Sequence, residues 1–190
     1  MAKDFSNKPG YPLGLRDNNP GNIRTGDNWQ GMTGENQGFV VFANCSWGLR
    51  ALAIDLRSKI NEGYNTLEKI IYRWAPPSEN DTEAYINSMI QLTGISRYQV
   101  LTSSNNTVLL LMNGIVYVEV GPDYFGQLSS ADFNEGIAWM DNPPGTVSTG
   151  TAAVGFGGSI LLLFGVLYLV TRPNKPKATK SVRARSFEYA

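Results

Sequence analysis

The chain contains no histidine in 190 residues, which removes Ser-His and Cys-His nucleophile pairs, the HExxH zinc site and most imidazole metal sites together. Any catalysis here has to run on carboxylates, and at neutral pH that points first to glycosidic bond cleavage, where an acid of raised pKa protonates the leaving oxygen. The stretch GLRDNNPGNIRTGDNWQG, residues 14–31, supplies chemistry of another kind. Asn18, Asn19 and Asn22 offer donors and acceptors, Pro20 and Gly21 force a turn, and Trp29 adds a flat apolar face. Such a surface suits a sugar. The same amides also suit the backbone of a tight, irregular loop, and both readings stand at this point. Cys45 is the single cysteine, so it forms no internal disulfide and reads as a small buried hydrophobe. No cofactor motif and no metal-ligand set is legible.

The elements that must position these residues follow from periodicity. MAKDFSNKPGYPLG lacks the apolar core of a signal peptide and is broken by Pro9, Gly10, Pro12 and Gly14, so residues 1–13 read as an extended arm with no export signal. GFVVFAN, residues 38–44, is a strand partnering part of the asparagine-rich loop. From Ser46 the period changes: Trp47, Leu49, Leu52, Ala53, Leu56 and Ile60 share one face, with Ser46 as N-cap and Gly63 as stop. Asn65 with Glu68 marks a short helix through Trp74, ended by Pro76 and Pro77. Asn80 with Glu83 marks another that stops before Gly94. Helices are expected over 106–119 and 130–140, although VLLLMNGIVYVEV is β-branched enough to allow a strand. The body, residues 14–140, is thus expected to be mainly α with a small β-lobe.

Residues 141–150, DNPPGTVSTG, form a linker. Beyond them AAVGFGGSILLLFGVLYLV, residues 152–170, carries no charge. Nineteen helical residues span about 28 Å, close to the hydrocarbon thickness of a bilayer. A buried core helix is the alternative, but the basic run after it is an odd ending for one. The expectation is therefore a transmembrane helix over 151–171, with Tyr168 and Arg172 as interfacial anchors. Six of the sixteen basic residues but only one acid, Glu188, fall in residues 172–190. That leaves ten basic and fifteen acidic side chains before Arg172, so the body carries about −5 and the tail about +5. The positive-inside rule puts this tail on the interior side, where it could also neutralise the phosphates of an enclosed nucleic acid.

Four blocks in order, LRDNNPGNIR, WQGMTGENQGFVVF, WGLRAL and IIYRWAPPSENDTEAY, resemble a family of phage and prophage virion proteins with a lysozyme-like, peptidoglycan-directed domain. The first two blocks are also distantly similar to flagellar-type glucosaminidases. The resemblance covers residues 13–140 and implies a lysozyme-like α+β fold with a groove for a glycan strand. It implies site residues as well. The usual acid, a Glu on a helix before the β-lobe, has no counterpart in the short, Pro/Gly-broken chain before Asn18. Glu79, beside Trp74 in the block that defines the family, is the substitute. Its other reading is a charge favoured by the following helix dipole, which lowers a carboxyl pKa and opposes an acid role. Glu35 matches the place of a second carboxylate, or is an exposed charge in a Gly-flanked turn. Glu62 and Glu119 end helices, each a displaced acid or a solvated helix end. Tyr85 follows NDTEA much as a functional tyrosine follows the Thr-Asp motif of the glucosaminidases, or simply packs its helix.

The expectation is a minor virion membrane protein that binds and cleaves peptidoglycan during phage entry, with Glu79 and Glu35 catalytic and Asn18, Asn19, Asn22, Trp29, Trp74 and Tyr85 on the glycan. Hydrolase and lytic transglycosylase stay open. The implied partners are peptidoglycan, a lipid membrane, capsid or vertex proteins and, through the tail, the genome. The implied location is the virion membrane, and the host membrane during assembly. A different class of reading is an inactive structural protein linking an internal viral membrane to the capsid or vertex. A third is a host membrane-anchored cell-wall hydrolase.

Overall fold

The computed structural model describes residues 2–6 and 8–145. It is mainly helical with one two-stranded sheet among the described residues. A single turn of helix, α1 (Leu13–Arg16), opens the body. The strands β1 (Met32–Asn36) and β2 (Phe39–Phe42) pair antiparallel, with Asn36 opposite Phe39 and Glu35 opposite Val40. Both central residues of their turn, Gln37 and Gly38, have positive φ, 52° and 81°, the sense that suits the twist of a two-residue hairpin. Val40 and Phe42 face the core while Phe39 and Val41 do not, the period-2 alternation of a half-buried strand. The expected strand partnership with the loop is present too: Val40 N–H donates to Ile23 O at 3.0 Å and Thr25 N–H to Gly38 O at 2.9 Å.

Helix α2 (Cys45–Asn61) buries Leu49, Leu52, Ala53, Leu56 and Ile60. Its cap is Asn44 rather than Ser46: the Asn44 side chain accepts from Ser46 N at 3.1 Å and Trp47 N at 3.3 Å. The same short displacement recurs downstream. Helix α3 (Leu67–Trp74) is capped by Thr66, not Asn65, and α4 (Thr82–Thr93) by Asp81, not Asn80, ending on left-handed Gly94. Local chemistry marked each helix start to within two residues, as side chains with similar oxygens compete for the cap. Helix α5 (Asn105–Val120) settles the ambiguity of its β-branched sequence as helix, because it runs through the interior. Val108, Leu111, Met112, Ile115 and Val116 are all buried, and burial on many sides outweighs a weak propensity. After the single turn α6 (Pro122–Phe125), α7 (Ser130–Asp141) carries a capping box from Ser129 and Asp132 and packs on α2.

Two close approaches fix the frame around the asparagine loop. A Cβ on Gly48 would lie 2.1 Å from the backbone oxygen of Asn18, and one on Gly136 would lie 2.7 Å from Leu49 Cβ. Only glycine lets the loop and α7 come this near to α2.

Of residues 1–13, expected as an extended arm, Leu13 opens α1, while residues 2–6 and 8–12 form no helix or strand but lie against the body. Phe5 is buried, Cys45 N–H donates to Lys3 O at 2.8 Å, and Lys3 Nζ meets Asp132 at 2.8 Å. One buried aromatic and these bonds hold the segment without regular structure of its own. Among the described residues no helix is long and apolar enough to cross a membrane. The expected span at 151–171, the tail at 172–190 and residues 146–150 of the linker lie outside the described residues.

Candidate functional site

The asparagine loop divides its labour. Asn18 and Asn22 have φ of 53° and 50°, the left-handed region that asparagine tolerates better than other non-glycine residues. Asn18 is 1% and Asn19 0% exposed. Asn18 accepts from Phe5 N at 2.9 Å and donates to Asp4 Oδ1 at 2.8 Å and Phe42 O at 3.2 Å. This donation holds the Asp4 carboxyl below its ordinary value, with Ser6 adding to the effect. Asn19 accepts from Ile23 N at 2.8 Å and donates to Ile23 O and Val40 O, both at 2.9 Å. These amides staple the loop to the arm and to β2. Nothing of them is left for a ligand, so their geometry fits the second of the two readings drawn from the sequence.

Asn22 does something else. Its Nδ2 donates to Glu119 Oε2 at 2.6 Å. Trp74 Nε1 donates to Glu119 Oε1 at 3.2 Å, and Tyr85 Oη donates to the same oxygen at 2.9 Å. Three side chains singled out from sequence therefore converge on one half-buried carboxylate at the last turn of α5. An ionised carboxylate has about four lone-pair sites, enough for all three donors and one more. Tyr85 is buried, and burial, followed by the Glu119 charge, pushes its phenol well above the ordinary value. It stays protonated and keeps donating.

Around this carboxylate lies a groove of about 410 Å³, lined among others by Asn22, Trp29, Trp74, Glu79 and Glu119. Its walls come from the loop, Phe39 of β2, the middle of α2, the end of α3 with residues 75–80, and the end of α5. Glu79 is half-exposed and paired with Arg24, itself two-thirds exposed. The Arg24 guanidinium also sits 5.5 Å over the Phe39 ring. Trp29 is packed against the core, and its indole N–H is sealed from solvent with no hydrogen-bond partner among the described residues.

Glu35 stands exposed on β1 and is not among the groove-lining side chains. Glu62 caps α2 and accepts from Ser58 Oγ at 2.7 Å, away from the groove. Cys45 is buried, and that burial pushes its thiol up, with Asp132 and Asp4 adding to the effect, so it is no thiolate nucleophile.

Some groove residues were not singled out from the sequence. Asp55 and Lys59 line it as an i,i+4 ion pair on α2 at 2.5 Å, and Lys59 Nζ lies 5.7 Å over the Trp74 ring. Their spacing was a readable signal of pairing, though not of place. The Arg24–Glu79 pair joins residues 55 apart in sequence, which no local pattern announces.

No family model matches the chain. Protein P5 of Pseudoalteromonas phage PM2 is 35% identical over 133 residues, an alignment that covers 66% of this chain and 80% of that protein. The chain belongs to the family of that phage protein.

Proposed function

We propose that this member of the Protein P5 family is a phage virion component whose lysozyme-like helical domain binds the glycan strand of peptidoglycan and cleaves it during entry. The observation that supports this reading most is the gathering of Asn22, Trp29, Trp74, Glu79 and Glu119 along one groove. Trp74 offers a flat face to a sugar ring, and Asn22 an amide to its hydroxyl or acetamido groups. In a chain without histidine, a carboxylic acid supplies the proton. Glu79, released from Arg24 and protonated, donates its proton to the glycosidic oxygen as the C–O bond breaks, and its carboxylate then takes the proton of the water that adds to the sugar. Glu119 holds a negative charge beside the cationic sugar that forms, or orients the incoming water. The uncharged run at 152–170 anchors the protein in the virion membrane, and the basic tail lies on the side of the genome.

A second reading is a structural virion protein that keeps the fold without the activity, linking membrane to capsid or vertex. One observation favours it: both groove carboxylates are already engaged, Glu79 by Arg24 and Glu119 by three donors.

Full-length protein in detergent micelles, mixed with purified peptidoglycan, separates the two. Co-sedimentation with release of soluble glycan fragments is expected, and Glu79→Gln is expected to abolish release while keeping co-sedimentation. Binding without fragments at any pH from 4 to 8 leaves the structural reading in possession. Absence of binding removes the glycan reading altogether.

A further inference from the structure

Helix α3 carries two cations on one face. Lys69 and Arg73 are four residues apart, the spacing at which helical side chains are neighbours and like charges repel. Elsewhere on the same helix Glu68 is taken by Arg97 at 2.8 Å. Among the described residues neither Lys69 nor Arg73 has a carboxylate within ion-pair distance. Lys69 Nζ reaches only the Gly63 carbonyl, at 3.3 Å.

Both cations line a shallow depression with Tyr64 and Tyr72. Tyr72 is exposed, with its hydroxyl tied to Glu83 at 2.9 Å. One acid, Glu62, lines it too, and accepts from Ser58. Arg73 lines this depression and the groove alike, so the two share one side chain. A guanidinium and an ammonium without a carboxylate partner among the described residues, lining one depression with two aromatic side chains, form a place for a carboxylate attached to something apolar. The negative charge of the body opposes a polyanion such as nucleic acid, and leaves a discrete carboxylate as the better match.

We propose that this depression is a subsite for the carboxylate-bearing peptide stems of a glycan whose sugar backbone lies in the groove. The inference rests on the glycan reading of the groove. It adds that the protein distinguishes peptide-substituted glycan from a bare one, through Lys69 and Arg73. Tyr64 and Tyr72 pack the apolar side chains of the stem, and Arg73 sits at the junction where stem meets sugar.

The test uses full-length protein in detergent micelles and two probes of equal sugar length, a peptide-bearing muropeptide and a chitin oligomer, titrated by calorimetry. The muropeptide is expected to bind about tenfold tighter or better. Lys69→Glu, a change at an exposed position outside the groove, is expected to erase that preference and leave chitin affinity unaltered, while Lys69→Arg retains it. Equal affinity of wild-type protein for the two probes overturns the subsite and leaves the glycan groove standing. So does a preference that survives Lys69→Glu. Failure to bind either probe overturns the groove reading and the subsite together.

Discussion

The two halves of the asparagine loop use one side-chain chemistry for opposite ends. Asn18 and Asn19 are buried and turn every donor and acceptor toward the arm, Ile23 and β2. Asn22, three residues on, points its amide at a carboxylate 97 residues away and borders a groove. The difference lies in what surrounds each amide. Where backbone groups are sealed from water they must find partners, and asparagine, short and able to sit at positive φ, supplies them within the loop. At the groove water remains available, so the same side chain can be committed to another element and stay within reach of a ligand. An amide-rich loop is therefore neither a binding site nor a scaffold as a whole; the division falls inside it.

The hardest blow to that contrast is aimed at its first half. Asn19→Ala takes the Asn19 partner from Ile23 N–H and Val40 C=O, while Ile23 C=O keeps the Val40 N–H at 3.0 Å, and buried polar groups left without a partner cost about 1–3 kcal/mol each. A loss of about 3 kcal/mol or more is expected, read as a fall of roughly 10 °C in the thermal midpoint by circular dichroism. A midpoint within two or so degrees of the wild type would dissolve the distinction between the halves.

Glu119→Gln acts on the second half. The amide keeps the shape of the carboxylate but carries no charge and turns one acceptor into a donor. Glycan fragment release is expected to fall by about 100-fold or more, with a stability loss of about 1–2 kcal/mol from the strained hydrogen bonds. Activity and midpoint must be measured on the same preparation. If the midpoint falls as far as for Asn19→Ala while release persists, Glu119 belongs with the scaffold.

The smallest effect expected is a graded response to acid. Asp4 is held low by Asn18 and Ser6. Asp132 is also lowered: burial opposes this, but Lys3 and Ser129 outweigh it. Both folded-state values lie beneath the ordinary 3.8, so their stabilisation is present above that pH and fades as pH falls through the lowered values. Glu83, held at about 2 against an ordinary 4.5 by Arg97 and Tyr72, loses its share over the window between those two values. Hydrogen exchange is expected to quicken at the amides of Phe5 and Cys45, which bond to Asn18 and Lys3, before the helical core opens. Simultaneous opening of arm and core would show that the arm is no separate unit.

What the sequence by itself determined is everything that depends on neighbours along the chain. Caps, stops and apolar periodicities placed α2 to α5 and α7 within a residue or two, because a helix start needs only an oxygen at the right spacing and a buried face only the right period. The absence of histidine narrowed the chemistry to carboxylates in the same way. The tertiary structure alone decided which carboxylate stands at the centre of the groove. Glu119 reads in sequence as a displaced acid or a solvated helix end; its partners Asn22, Trp74 and Tyr85 lie 97, 45 and 34 residues away. It decided likewise that Asn18 and Asn19 are buried and bonded to the arm, Ile23 and β2, that Glu35 is not among the groove-lining residues, and that Arg24 meets Glu79. Each of these rests on packing between elements distant in the chain, and no spacing along it encodes which helix end will come to face which loop.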